Sequence, residues 1–390
     1  MKINYAFFML LFSIFITSSE MKINYFRRLR GTDDCKVIKY LPNEQNVKII
    51  GRFYQEKDIT WIVHSGSAIE FYIKGNSANV LLVGDSSIYA EADLRPRFGV
   101  YLDDELLLDS TMNELELNVK LFKEEKNRMA KVKIMLLSEN KYGGVGIKNI
   151  NVYACSNSKA VEPVEKKNLT IEFIGDSMTC AYGVEGKDQN EHFKTTTENF
   201  SKSYAYLASQ ILGADYSSVS YSGYGVVSGY SNGEKNEEEV LPLYYKKIGK
   251  YENYPGEWNF EKYKNDIIFM NLGANDYYYI LKNPEKRNDE FIQEYINFVM
   301  EVRKYNPKSL IICTVGNIGE NPIFKLIEEA VKLISDEKVI SYELPPQNPD
   351  DGYGSDWHPS IASQERFSKI VAEKIKEIYK EHIINFKIIK

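Results

Sequence analysis

The feature that most constrains this chain is a change of hydrophobic period about 160 residues in. Before it, apolar residues come in short runs separated by turn residues: 60–63, 69–74, 78–83, 98–102, 105–109, 118–122, 132–137 and 147–154. Runs of this length, rich in Val, Ile, Leu, Phe and Tyr and lacking a helical period, predict antiparallel strands with turns at Lys74-Gly75-Asn76 and Gly84-Asp85. After a polar linker at 159–168 the pattern alternates. Continuous apolar runs at 169–174, 219–221, 266–272, 310–315 and 339–344 alternate with helical stretches at 200–212, 288–305, 322–335 and 361–382. A run apolar on every residue suits a strand buried on both faces, and strand–helix alternation implies a parallel sheet covered by helices. The expected architecture has two domains, in keeping with 390 residues. A jelly-roll-like β-sandwich spans 35–158, and an α/β domain with a parallel sheet spans 166–385.

The first residues read as a secretory signal over 1–19. Lys2 supplies a positive start, 6–16 is apolar apart from Ser13, and Thr17, Ser18 and Ser19 are small. The apolar stretch is too short to span a bilayer, so the expectation is a secreted protein with no stable membrane association after cleavage. The segment MKINY at 1–5 recurs at 21–25 without making a structural repeat. Secretion permits disulfides, and Cys35 and Cys155 lie near the two ends of the first domain; Cys180 and Cys313 fall inside elements and are expected as free, buried thiols. The net charge of −6, with no basic cluster, argues against a nucleic-acid partner. Twenty-nine Tyr suit a sugar-contacting surface. An AT-rich coding sequence gives the same bias, so the aromatics alone decide nothing.

In an open α/β sheet, ligands bind outside the carboxyl ends of the strands. Four of those places hold polar residues suited to acyl transfer. Gly175-Asp176-Ser177-Met178-Thr179 puts a hydroxyl at a strand-to-helix turn, where backbone N–H groups face a developing oxyanion. Ser222-Gly223-Tyr224-Gly225 offers a glycine N–H with room for substrate. Gly273-Ala274-Asn275-Asp276 offers a side-chain amide. Gly354-Ser355-Asp356-Trp357-His358-Pro359 precedes the last helix, and of the four histidines (64, 192, 358 and 382) only His358 lies on the catalytic side of the sheet. Each piece alone is an ordinary turn or cap; together they give Ser177 as nucleophile and His358 as base, with Ser177, Gly223 and Asn275 as oxyanion donors.

That set resembles the SGNH (GDS-type) hydrolases over 168–383, through Ile-Gly-Asp-Ser-Met-Thr, Ser-Gly-Tyr-Gly, Leu-Gly-Ala-Asn-Asp and Asp-Trp-His-Pro-Ser. With a β-sandwich in front, it looks most like carbohydrate esterase family 2. The sandwich phrases Ser-Gly-Ser-Ala-Ile-Glu-Phe (65–71) and Gly-Val-Tyr-Leu-Asp (99–103) look similar to that family too. The resemblance implies a serine esterase that removes O-acetyl groups from plant polysaccharides such as xylan or glucomannan, with a preference for 6-O positions. One departure stands out. Most SGNH enzymes carry an Asp three residues before the His; here that position is Ser355, and Asp356 lies two before. Asp356 is the expected orienter of His358, with a backbone carbonyl as the alternative. Trp357 and Trp258 are candidates for holding a sugar ring, either of which could instead fill the core. No cofactor is expected, and scattered histidines give no metal signature. The competing readings are a lipase or thioesterase on the same fold, and a carbohydrate-binding protein without catalysis.

Overall fold

The structure is a computed structural model, and it describes residues 35–154, 159–316 and 322–388. The expected signal segment 1–19, the repeated MKINY and Cys155 lie outside the described residues. Cys35 is disulfide-bonded. Cys180 and Cys313 are free and buried, as their places inside elements predict.

The first domain is a ten-stranded antiparallel sheet that curls over its own core. Its strands are β1 (Lys36–Tyr40), β2 (Lys48–Ile50), β3 (Phe53–Glu56), β4 (Ile59–Ile62), β5 (Ala68–Gly84), β6 (Arg97–Leu102), β7 (Glu105–Thr111), β8 (Glu116–Leu136), β9 (Val145–Ala154) and β10 (Val161–Pro163). Two expectations need correction. The pairs of runs at 69–74 with 78–83, and 118–122 with 132–137, are not separate strands. Each pair joins into one long strand, β5 and β8, which stay paired through register shifts near Gly75 and Ala78. Gly75 is therefore no turn residue. A Cβ there would meet the Val152 side chain at 2.5 Å, so the glycine serves close approach across the bend. Second, 159–168 is not wholly linker, because 161–163 forms β10 and pairs with β5.

The second domain holds a five-stranded parallel sheet in the order β12-β11-β13-β14-β15. Its strands are β11 (Thr170–Gly175), β12 (Asp215–Ser220), β13 (Ile267–Asn271), β14 (Leu310–Thr314) and β15 (Val339–Ser341). Each of β11 to β14 is buried along almost its whole length, as a strand covered on both faces must be. Alternate residues enter different cores. Ile268 and Met270 pack with Phe291, Tyr295, Phe298 and Ile327 of the helices Pro284–Tyr305 and Ile323–Ile334. Ile267 and Phe269 pack with Ala205, Ala208, Phe367 and Val371 of the helices Tyr204–Ile211 and Ile361–Ile388.

The two domains are joined by buried polar contacts as well as apolar ones. The fully buried Arg52 of the first domain donates to the backbone carbonyls of Tyr245 and Lys247 and faces Glu172 of β11 at 3.4 Å. Lys48 reaches Asp215 at 2.6 Å, and Arg97 reaches Glu185 at 2.6 Å. Each of these contacts sets a charged group of the first domain against one particular partner in the second, so together they favour one docking of the domains.

Candidate active site

β11 ends at Gly175, where a Cβ would meet Thr179 Oγ1 at 2.1 Å, so only glycine lets the following turn fold tightly onto the strand. Asp176 then caps the turn, its carboxylate accepting from Met178 N–H at 3.1 Å. Burial, with the neighbouring Asp276 charge adding to it, pushes the Asp176 pKa up to about 7. The helix that begins at Ser177 is only Ser177–Cys180 and ends at Ala181 in the left-handed region. A single turn has little macrodipole, so what it offers an oxyanion is the local N–H of Ser177 itself.

Ser177 Oγ lies 2.9 Å from His358 Nε2. The other ring nitrogen, Nδ1, lies 3.1 Å from the backbone carbonyl of Asp356. The expected carboxylate–imidazole contact is not made. The Asp356 carboxylate accepts from Tyr182 OH and the Phe193 N–H and meets His192 Nδ1, each at 3.0 Å. The reason lies in the spacing: with only one residue between them, Asp356 turns its carbonyl toward its own loop's imidazole and its side chain away. The loop achieves this by placing both Asp356 (φ 50) and Trp357 (φ 66) in the left-handed region, a strained choice for residues with a Cβ. It is pinned by Gly354 N–H to His358 O at 2.8 Å and Ser355 N–H to Gly183 O at 2.9 Å. Desolvation lowers the half-buried His358 to about 4, from an ordinary 6.5, against the raising effect of the backbone carbonyls and Asp356. The ring is neutral at neutral pH, as a general base must be.

Gly223 sits at φ 86 in the turn after β12, and the nearest atom to a Cβ built there is Glu239 Oε2 at 3.9 Å. The N–H groups of Ser177 and Gly223 donate to no group among the described residues. Asn275 Nδ2 donates to Tyr224 O at 2.8 Å and approaches Asp176 Oδ2 at 3.5 Å, a contact at the limit of a hydrogen bond.

The two tryptophans part company. Trp357 is 56% exposed, edge-on to Tyr353 at 5.2 Å, beside His358. Trp258 is buried at the domain junction, edge-on to Phe53 at 5.7 Å and under the Arg52 guanidinium. It lines a cleft of about 520 Å³ whose wall includes none of Ser177, Gly223, Asn275 or His358. Trp258 is buried in the core, the second of the two places its sequence position left open.

Two groups of residues carry no signal in the sequence. Tyr182 lies against the His358 ring at 4.3 Å, and Phe193 and Tyr142 continue the stack at 4.1 and 5.3 Å. Tyr142 belongs to a turn, 139–142, that the first domain sends into the second. Within it Glu139 is fully buried and accepts from both the N–H and the hydroxyl of Ser222. Glu139, Cys180 and Glu198 offer ligand atoms within 4.8 Å of one another, the one such group among the described residues. Burial, and then the Glu139 charge, push the Glu198 carboxyl well above its ordinary range. Glu139 is already engaged by Ser222 and by Lys141 at 3.5 Å.

Comparison with known proteins identifies the family of the fold. Residues 171–371 match the GDSL-like lipase/acylhydrolase family. The cellulase/esterase CelE of Acetivibrio thermocellus is 29% identical over 346 residues, 86% of this chain and 40% of its own length. Two acetylxylan esterase/glucomannan deacetylases of Cellvibrio japonicus are 26% and 22% identical; this chain spans 60% of the first and 90% of the second. A family two carbohydrate esterase from Clostridium thermocellum, solved with cellohexaose, is 26% identical and superposes with a TM-score of 0.74, covering 86% of this chain and 99% of that one. An acetyl xylan esterase from Butyrivibrio proteoclasticus, 21% identical, shares the fold with a TM-score of 0.76 over 89% of this chain and 99% of its own. The chain belongs to the GDSL-like lipase/acylhydrolase family of ester hydrolases, and it has the two-domain build of the family two carbohydrate esterases.

Proposed function

We propose that this protein is a secreted serine esterase that removes O-acetyl groups from plant cell-wall polysaccharide, acetylated xylan or glucomannan, favouring 6-O positions. The observation that carries the chemistry is the 2.9 Å contact between Ser177 Oγ and a neutral His358. His358 Nε2 takes the serine proton as Oγ attacks the acetyl carbonyl. The carbonyl of Asp356 accepts from Nδ1–H, which fixes the tautomer that leaves Nε2 free to accept and steadies the imidazolium that forms. The N–H groups of Ser177 and Gly223 stabilise the oxyanion, and Asn275 adds its amide once the long contact to Asp176 gives way. Each such donor is worth about 3 kcal/mol of barrier. His358 then gives its proton to the departing sugar oxygen. Water attacks the acetyl-serine by the same route and acetate leaves.

The names of the relatives support a carbohydrate as the alcohol half of the ester. The exposed Trp357 beside His358 supports it independently, since a flat indole suits the apolar face of a pyranose. The test is acetate release by purified protein from acetylated xylan and acetylated glucomannan, set against hydrolysis of medium-chain acyl esters. Preference for the medium-chain esters would replace this reading with a lipase-like one.

A further inference from the structure

The Gly223 N–H belongs to a peptide that has two ways to face. Tyr224 N–H bonds to Tyr221 O at 3.3 Å across a tight turn, with Gly223 third in it at φ 86. That is the geometry of a type II turn, whose central peptide differs from that of a type I turn by a flip. Here the central peptide joins Ser222 to Gly223. The flip would reverse the direction of the Gly223 N–H.

The first domain grips this peptide. Lys141 Nζ donates to Ser222 O at 3.3 Å and to Ser222 Oγ at 2.7 Å. Glu139 receives Ser222 N–H, from the preceding peptide, at 2.8 Å and so anchors the turn on its other side. Because a trans peptide is planar, the Ser222 carbonyl and the Gly223 N–H point in opposite directions. A cation held on the carbonyl therefore aims the N–H the other way and polarises it. We infer that Lys141, supplied by the first domain, is a positioning residue for the oxyanion site, holding the Ser222–Gly223 peptide so that its N–H faces the substrate. Lys141 is charged in this setting: burial would lower its pKa, but Glu139 and its neighbours raise it on balance. Its stem runs beside Tyr142, with Nζ 5.2 Å from that ring. The inference rests on the proposed esterase mechanism and assigns a residue outside the catalytic domain to it.

The experiment uses the full chain, an aryl acetate as substrate, and Lys141→Met, Lys141→Gln and Lys141→Arg. An oxyanion donor is worth 10²–10³ in turnover, and misaiming one should cost Lys141→Met about tenfold in kcat. KM and the melting temperature stay near those of the parent, and Lys141→Arg, which keeps a cation over the carbonyl, recovers part of the loss. Parental kcat in folded Lys141→Met overturns the inference. So does a loss of kcat that tracks a fall in melting temperature and is not recovered by Lys141→Arg, which is the behaviour of a merely structural residue. If Lys141→Met does not fold, Lys141→Gln is judged by the same criteria, since it keeps a donor but not the charge. Ser177→Ala measured alongside separates the two layers. Turnover by Ser177→Ala sinks the mechanism itself, whereas an inactive Ser177→Ala beside a fully active Lys141→Met sinks only the role of Lys141.

Discussion

The rim of the parallel sheet supplies Ser177, Gly223, Asn275 and His358 from four separate loops, whereas the first domain supplies one short turn, 139–142. Among the rim groups Ser177 Oγ meets His358 Nε2, and the N–H groups of Ser177 and Gly223 donate to no group among the described residues. The groups of the turn are buried or half-buried and already engaged, so they work through other residues. Taking away a rim group should cost chemistry and spare the fold. Taking away a group of the domain junction should mix the two, because a buried polar partner is then left unsatisfied.

The hardest test of that contrast is Ser177→Ala. It should lower kcat by at least about 10³-fold in a protein that melts normally, and His358→Ala should do the same. The double variant should be little worse than either, since both belong to one relay; independent, multiplying losses would break the pair apart.

The pH profile comes next. His358 must be neutral to take the proton, and desolvation favours the neutral ring by lowering its pKa to about 4. The acid limb of kcat/KM should then fall clearly below the 6.5 of an ordinary imidazole. A limb at 6.5 or above would mean that the ring is wetter than its packing against Tyr182 indicates.

The two tryptophans sharpen the comparison further. Trp258→Ala at the junction should cost about 3–5 kcal/mol of stability and harm aryl acetate and polysaccharide together. Trp357→Ala on the rim should raise KM for polysaccharide by about tenfold, leaving the aryl acetate and the melting temperature almost untouched; each tenfold corresponds to about 1.4 kcal/mol of binding. Identical behaviour of the two variants would remove the distinction between a platform and a plug.

The smallest effect is expected from Asp356→Asn. The carbonyl that holds His358 is unchanged, and an amide oxygen still accepts from Tyr182 or Phe193, so activity should fall only a few-fold. A loss as deep as that of His358→Ala would return the carboxylate to the catalytic group.

The rim and the turn also differ in how far the amino-acid sequence discloses them. The buried runs at 169–174 and 266–272 point to a parallel sheet, and its topology places four polar turns on one edge, so Ser177 and His358 are legible from order alone. The long strands β5 and β8 are not, because Gly75 reads as a turn in sequence and serves as a close approach only once Val152 is packed over it. Asp356 misleads for a related reason. Residue type suggests which group can hold an imidazole, but two successive left-handed residues decide which end of the aspartate faces it. Trp258 and Trp357 are indistinguishable as letters and differ only in burial. The turn 139–142 has no signature at all, since Glu-Asn-Lys-Tyr is an ordinary polar stretch between strands, and its importance comes from what a different domain sets against it.

The grip of 139–142 on Ser222 has a consequence in the order of synthesis. Glu139 and Lys141 leave the ribosome well before Ser177, Ser222 or His358, and domains tend to fold as units from the N-terminal end. The curled sheet with its protruding turn can therefore be complete while the hydrolase domain is still emerging, and the Ser222 turn would meet its holder already in place. Reversing the two domains along a chain would keep every contact and lose that sequence of events. The Lys48–Asp215 and Arg52–Glu172 pairs would then have to form against a hydrolase domain that had closed its oxyanion turn unaided.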